Sequence, residues 1–326
     1  MAAPIAEIAD REHLRLITRV AWLYHVRGLK QSQVAELLGL SQTRISRLLE
    51  TARSIGIVRT TVRAPAGLHL ELEHQLIEAY GLRDAHVLDI PGHDDNGLIG
   101  DLGQFLAIYL AEKPLLGEVI GFTSWSRTLR ETIAAMEPPP ERRSRVVVEM
   151  LGDVGPPDAQ HEAAEVTRQL ATMLGATPRF LRVPGVVSTT KARRALIAKD
   201  SHAREALELL DRVDEALVGI GTCSIDPPLR AGDNFFTKEQ FARAKKLGAV
   251  GQVNLRFIDD EGKAVSSELD GQVIGITLEQ LRACERTIAV AGGPAKVAAI
   301  RGALKGGWVN TLVTDSTTAE ELISRA

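Results

Sequence analysis

Two groups of residues in this 326-residue chain are typed and spaced for chemistry. The first is Ser41-Gln42-Thr43-Arg44 with Ser46 and Arg47. A guanidinium can fork onto guanine O6 and N7, a glutamine amide onto adenine N6 and N7, and small hydroxyls reach phosphates or base edges. The second group is suited to an anion and is split between two places. Gly121-Phe122-Thr123-Ser124-Trp125-Ser126-Arg127-Thr128 is dense in hydroxyls and carries one arginine. Ala291-Gly292-Gly293-Pro294-Ala295-Lys296 offers flexible backbone N–H groups, a proline suited to a first helical position, and a cation in the first turn. A lysine there opposes the helix dipole, which makes sense if a bound phosphate lies between them. The GxxxxGK[ST] spacing of a nucleotide loop is missing, and no GxGxxG with a following acid marks a dinucleotide site, so no cofactor is expected.

The donors of the first group need a helix to present them, and residues 31–50 are patterned to supply one. Val34, Leu37 and Leu38 give a first helix an inward face, and Ala35 is small where a second helix must cross. Gly39 falls at the turn, where a left-handed backbone is needed. Leu40 fills the core beneath it, and Ser41 is an N-cap for a second helix with Ile45, Leu48 and Leu49 inward. Gln42, Thr43, Arg44, Ser46 and Arg47 then face outward, as in a helix-turn-helix whose second helix reads DNA. Leu14, Ile17, Ala21 and Tyr24 make one stripe of a preceding helix that would brace the pair. Residues 56–63 alternate like the strand of a winged domain, which would lay Arg59 and Arg63 along phosphates. Residues 1–63 hold ten of the 39 Lys and Arg but only five of the 42 Asp and Glu, so a basic head precedes an acidic body.

The second group needs strand ends. After a boundary near Ala64-Pro65-Ala66-Gly67 and a short joining helix (64–80), strand and helix patterns alternate to the end of the chain. Strands are expected at 84–90, 118–122, 144–151, 179–183, 215–221, 252–258 with a partner at 272–276, 286–291 and 308–314. Helices are expected near 97–113, 127–136, 159–174, 190–211, 237–247, 294–305 and 317–325. These strands are apolar enough to be covered on both faces, which describes an α/β body with a doubly wound, mostly parallel sheet over residues 81–326. Ligands of such sheets bind beyond the carboxyl ends of the strands, where both loops of the second group fall.

Only two cysteines occur, Cys223 and Cys284, with no CxxC and no His/Cys cluster at ligand spacing, so a reducing cytoplasm and no metal are expected. The N-terminal sixteen residues carry acids and lack the apolar core of a signal peptide, and no stretch approaches the ~18 apolar residues of a membrane span.

Head and body together resemble the SorC/DeoR-type family of bacterial sugar-binding transcription regulators. The likeness rests on the head, on GFTSWSRTL, LRVPGVVSTTKARRALIAKD, EALVGIGTC and GQVNLRFIDDEGK, and above all on IAVAGGPAKVAAIRGALKGGWVNTLVTDSTTAEEL. It implies a body with the sugar-phosphate isomerase and deaminase fold working as a sensor for a small carbohydrate, commonly phosphorylated. It implies effector contacts at Thr123, Ser126, Arg127 and Thr128, at Gly292, Gly293 and Lys296, and at Gln252, where many relatives carry Asp or Glu. It implies a further wall at Gly152, Asp153 and His161. Ser126, in place of the family's frequent glycine, and Gln252, in place of a charge, depart from the family pattern, which points to a ligand less typical of a phosphate or differently hydroxylated. Simpler roles stay open: Gln252 satisfying buried backbone groups, His161 as a solvated or capping residue, Trp125 packing its loop, and Asp259 and Asp260 forming a turn.

The expected partners are a double-stranded DNA operator, a carbohydrate or sugar-phosphate effector, and further copies of the chain in a homodimer or homotetramer. The alternative is an isomerase or deaminase carrying a DNA-binding head, with Asp153 or Asp226 as the general base. A DNA-binding protein whose body only oligomerises would leave the chemistry of the loops unused.

Overall fold

The computed structural model describes residues 5–58, 68–90, 95–225, 233–265 and 268–326. The chain divides into two units, Met1–Ala64 and Pro65–Ala326.

In the first unit, α1 (Ile5–His25), α2 (Gln31–Leu38) and α3 (Gln42–Ser54) enclose a core of Ile17, Val20, Ala21, Leu23, Val34, Ala35, Ile45, Leu48, Leu49 and Ala52. Gly39 ends α2 in the left-handed region (φ 63°), and the Leu40 N–H donates to Ala35 O at 2.9 Å. The Arg44 N–H donates to Ser41 Oγ at 3.3 Å, so the serine caps α3. Two expected core positions are exposed, Leu14 and Leu37. Leu37 lies roughly 100° round the helix from the mean direction of Val34, Ala35 and Leu38 at 3.6 residues per turn. Leu14 lies about one turn towards the N-terminus from Ile17, and the buried core of α1 runs from Ile17 through Val20, Ala21 and Leu23. Gly56, Ile57 and Val58 form a turn and bend, not the start of a strand. Arg59 and Arg63 lie outside the described residues.

The second unit is built on a parallel sheet of seven strands: β1 (Asp84–Leu88), β2 (Val119–Phe122), β3 (Val146–Glu149), β4 (Thr177–Arg179), β5 (Glu215–Gly219), β9 (Arg286–Val290) and β10 (Thr311–Asp315). Their spatial order is β1-β10-β9-β5-β2-β3-β4. Successive strand residues turn to opposite faces, so Ala216 and Val218 join one apolar core while Leu217 joins the other, and Ala289 is likewise separated from Ile288 and Val290. One core is closed by α4 (Leu70–Tyr80), α12 (Val297–Lys305) and α13 (Ser316–Ser324), the other by α5 (Asp95–Glu112), α6 (Arg127–Ala135) and α7 (Pro157–Leu174). The joining helix α4 is thus part of this unit, with Leu76 fully buried. Helices α8 (Thr190–Lys199), α9 (Ser201–Leu210), α10 (Lys238–Lys246) and α11 (Leu278–Ala283) complete it.

A second, antiparallel sheet of β6 (Gly221–Thr222), β7 (Ala249–Val253) and β8 (Arg256–Asp259) revises two expectations. The segment expected as one strand, 252–258, is a hairpin, because Asn254 (φ 49°) and Leu255 (φ 61°) both adopt left-handed conformations in its turn. Such a pair makes the tight turn whose twist suits a hairpin, although leucine is not a residue that advertises it. Its expected partner at 272–276 makes only single bridges, at Val273 and Gly275. The strand expected at 179–183 also lies earlier. Thr177–Arg179 pairs with β3, and beyond it the Leu181 N–H donates to the Glu149 carboxylate at 3.0 Å instead of to a ladder carbonyl. Pro178 is tolerated because β4 is an edge strand.

Candidate functional site

The head presents Ser41, Gln42, Thr43, Arg44, Ser46 and Arg47 to solvent, all of them exposed and all at the start of α3. With Ile45, Leu48 and Leu49 buried beneath them, the polar side chains have one direction left. The amino end of α3 adds the partial positive charge of its dipole to two guanidinium groups, an arrangement that attracts phosphate.

In the body, a cavity of about 290 Å³ opens beyond the carboxyl ends of β2, β5 and β9. Strands β2 and β5 are neighbours, but the chain leaves β2 towards β3 and leaves β5 towards β9, on opposite sides. Such a reversal parts the connecting loops and leaves a crevice at the strand ends.

The loop after β2 contributes Thr123, Trp125, Ser126, Arg127 and Thr128. Ser126 Oγ accepts the Leu129 N–H at 3.4 Å and caps α6, so Arg127 and Thr128 occupy the first turn of a helix that starts at the cavity. Thr123 is buried and its hydroxyl donates to Asn254 Oδ1 at 2.9 Å, tying the loop to the β7–β8 hairpin. The loop after β9 contributes Gly292, Gly293 and Lys296. Gly293 has φ 92°, which favours glycine, while a Cβ on Gly292 would meet Asp315 Oδ2 at 2.2 Å. Gln252, buried at the end of β7, also lines the cavity. Eight of the expected effector residues are therefore gathered around one cavity.

Three are not. Gly152, Asp153 and His161 lie off it, beyond β3. Gly152 is wedged against Val183 O, 2.4 Å from where its Cβ would be, and His161 is exposed on α7. Asp153 Oδ1 pairs with Arg182 at 2.9 Å, and Arg182 also pairs with the buried Glu149. Burial pushes the Asp153 carboxyl up to about 6, with Arg182 opposing the rise and the nearby Glu149 charge adding to it. Asp153, one candidate for a catalytic base, is therefore away from the cavity; the other, Asp226, lies outside the described residues.

The glycine loop also works differently from expectation. The Gly293 N–H is already taken within the fold and not left for a bound anion, because it donates to Asp315 Oδ2 at 2.9 Å and Thr318 Oγ1 at 2.8 Å. Asp315 caps α13 through the Thr318 N–H at 2.9 Å and so clamps the loop to the next helix. Asp315 was the residue missed in the sequence. Its signal was the Asp-x-x-Thr start of the last helix, but the partner 22 residues earlier is visible only in the fold. Gly219, Gly221 and Thr222 at the end of β5 line the cavity too. A Cβ on Gly219 would lie 3.0 Å from Ser126 Oγ. Among the described residues that line the cavity, Arg127 and Lys296 are cationic and none is a carboxylate.

Residues 65–324 match the family model described as "Putative sugar-binding domain". The chain is similar to the deoxyribonucleoside regulator of Bacillus subtilis (strain 168), 34% identical over 315 residues that cover 97% of this chain and 99% of that protein. It is similar to the transcriptional regulator LsrR of Escherichia coli (strain K12), 30% identical over 315 residues, 94% of each chain. The crystal structure of the full-length sorbitol operon regulator SorC from Klebsiella pneumoniae superposes with a TM-score of 0.71 at 28% identity, over 96% of this chain and 99% of that one.

Proposed function

The chain belongs to the SorC/DeoR-type family of sugar-binding transcriptional regulators, and we propose that its effector is a phosphorylated sugar held between the loops that follow β2 and β9. Its function is that of a DNA-binding regulator under the control of a small carbohydrate, and its relatives are regulators, not enzymes. The observation that carries the choice of effector is the pair of cations at the cavity: Arg127, from the loop after β2, and Lys296, from the loop after β9, stand in its lining. Arg127 and Thr128 open α6, where a phosphate gains the helix dipole together with charge-assisted hydrogen bonds. The hydroxyls of Thr123, Ser126 and Thr222 are suited to the sugar's hydroxyls, and the amide of Gln252 to a further oxygen of the ligand.

The operator-facing residues on this reading are Ser41, Gln42, Thr43, Arg44, Ser46, Arg47 and Arg59. We divide the labour between a head of residues 1–63, a joining segment of 64–80 and an effector-binding, self-associating body of 81–326. The protein acts in the cytoplasm as a homodimer or homotetramer. No helix among the described residues is long and apolar enough to cross a membrane.

The test is a thermal-shift panel of sugar phosphates, free sugars and polyols, followed by calorimetry on the best ligand. A sugar phosphate should raise the melting temperature by mass action, and Arg127→Ala and Lys296→Ala should each remove that rise. Full affinity in both variants would mean that the effector binds elsewhere.

A further inference from the structure

Gln252 is a buried amide whose two ends have different occupations. The Leu255 N–H donates to its Oε1 at 2.7 Å. A backbone N–H can only donate, so the amide atom facing it is the oxygen, and the orientation of the side chain follows from chemistry. The Nε2 end lies over Gly221, the register partner of Gln252 in the β6–β7 ladder. A Cβ at Gly221 would fall 2.0 Å from Nε2, so the amide occupies the room that a side chain there would need. The Gln252 side chain makes no other hydrogen bond among the described residues, and both Gln252 and Gly221 line the cavity. The hairpin turn therefore engages the oxygen of Gln252, and the Nε2 end is the one left for a ligand.

A donor-only group is poorly matched to an array of hydroxyls, each of which brings a proton that needs an acceptor. It is well matched to an oxygen that brings none, and best to a charged one. The rest of the described lining agrees: two cations, Arg127 and Lys296, and a Thr123 hydroxyl proton already donated to Asn254. We propose that Gln252 is a specificity-determining residue that selects a phosphorylated sugar acid, its carboxylate accepting from Gln252 Nε2 while its phosphate meets the Arg127 and Lys296 loops. The inference rests on the reading of the cavity as a sugar-phosphate site.

The experiment is calorimetry of the full-length protein with aldonate phosphates and the alditol phosphates of the same chain length, from four to six carbons, together with the unphosphorylated aldonates. In the parent protein one aldonate phosphate should bind at least about tenfold more tightly than its alditol counterpart. Gln252→Glu keeps an oxygen for the Leu255 N–H but turns the second amide position into an acceptor, and it should reverse the order. Circular dichroism and the melting temperature check that the variant is folded. An alditol phosphate that binds as well as or better than the aldonate phosphate in the parent would overturn the proposal, as would a ratio unchanged by Gln252→Glu. An unphosphorylated aldonate as tight as its phosphate, with the aldonate preference intact, would support Gln252 and overturn the phosphate reading instead. No binding by any probe would overturn both.

Discussion

At the scale of single residues, the site depends on side chains that are absent as much as on those present. Gly292 has room for no Cβ because Asp315 Oδ2 stands 2.2 Å from that position, and the same carboxylate holds the Gly293 N–H. Gly292→Ala should therefore displace the loop, at a cost of roughly 1–3 kcal/mol typical of overpacking, and weaken effector binding; calorimetry and thermal melting check it. Asp153 gives a pH prediction. Its carboxyl is raised by burial from 3.8 to about 6, so the folded state binds the proton more tightly than the unfolded chain does. The stability from that proton is fully present below pH 3.8 and is lost as pH rises through about 6. Asp153→Asn keeps an acceptor for Arg182 without the charge, so its melting temperature relative to the parent should climb as the pH is raised through that window. A difference that stays flat with pH would contradict the assigned cause. The lysine and the glycine pair of the second loop were legible in the sequence because their types and spacing belong to one turn. Asp315 was not, since an aspartate at a helix start reads as a cap whatever else it holds.

Elements were readable where the apolar period was sustained and the punctuation was local. Helix α3 is the clearest case: Gly39 and Ser41 mark its start, and Ile45, Leu48 and Leu49 set its buried side. Ser41→Ala removes the acceptor of the Arg44 N–H and should lower the stability of the head by about 1 kcal/mol, measured by melting residues 1–64 within the intact chain through a probe on α3. Arg44→Ala or Arg47→Ala should weaken operator binding by about 1–3 kcal/mol if a bidentate base contact is lost, with the effector's affinity unchanged in the absence of DNA. Operator titrations identical to the parent in both variants would remove α3 from the DNA interface. The reading failed where a strand's fate is decided by a distant partner or an unadvertised turn. Nothing in 252–258 shows that Asn254 and Leu255 reverse the chain, because the usual glycine is missing. The alternation of Leu181 and Val183 does reflect burial, yet the Glu149 carboxylate, 32 residues earlier, takes the N–H that a ladder would have used.

At the scale of the molecule, the order β1-β10-β9-β5-β2-β3-β4 explains why loops far apart in sequence share one cavity. The alternation of strand and helix announced a doubly wound sheet, and the likelihood of a site at strand ends came with it. Which strand ends meet is a property of the order, and the order is long-range: Gly152, Asp153 and His161 follow β3 and fall outside the cavity, whereas Gly219 ends β5, Gly221 lies just beyond it, and both fall inside it. Regulation requires that the effector favour one state of the assembly over another, and the coupling free energy must act equally in both directions. Paired heads would read half-sites about 34 Å apart, or a multiple of that. The most direct test of the account is therefore a reciprocal titration. The affinity of the full-length protein for DNA from its own upstream region is measured by anisotropy with and without the sugar phosphate that shifts its melting point, and the affinity for that ligand is measured with and without the DNA. The account predicts the same factor of change in both, and no change in the operator affinity of Lys296→Ala when the ligand is added. An operator affinity indifferent to a ligand that saturates the cavity would contradict it.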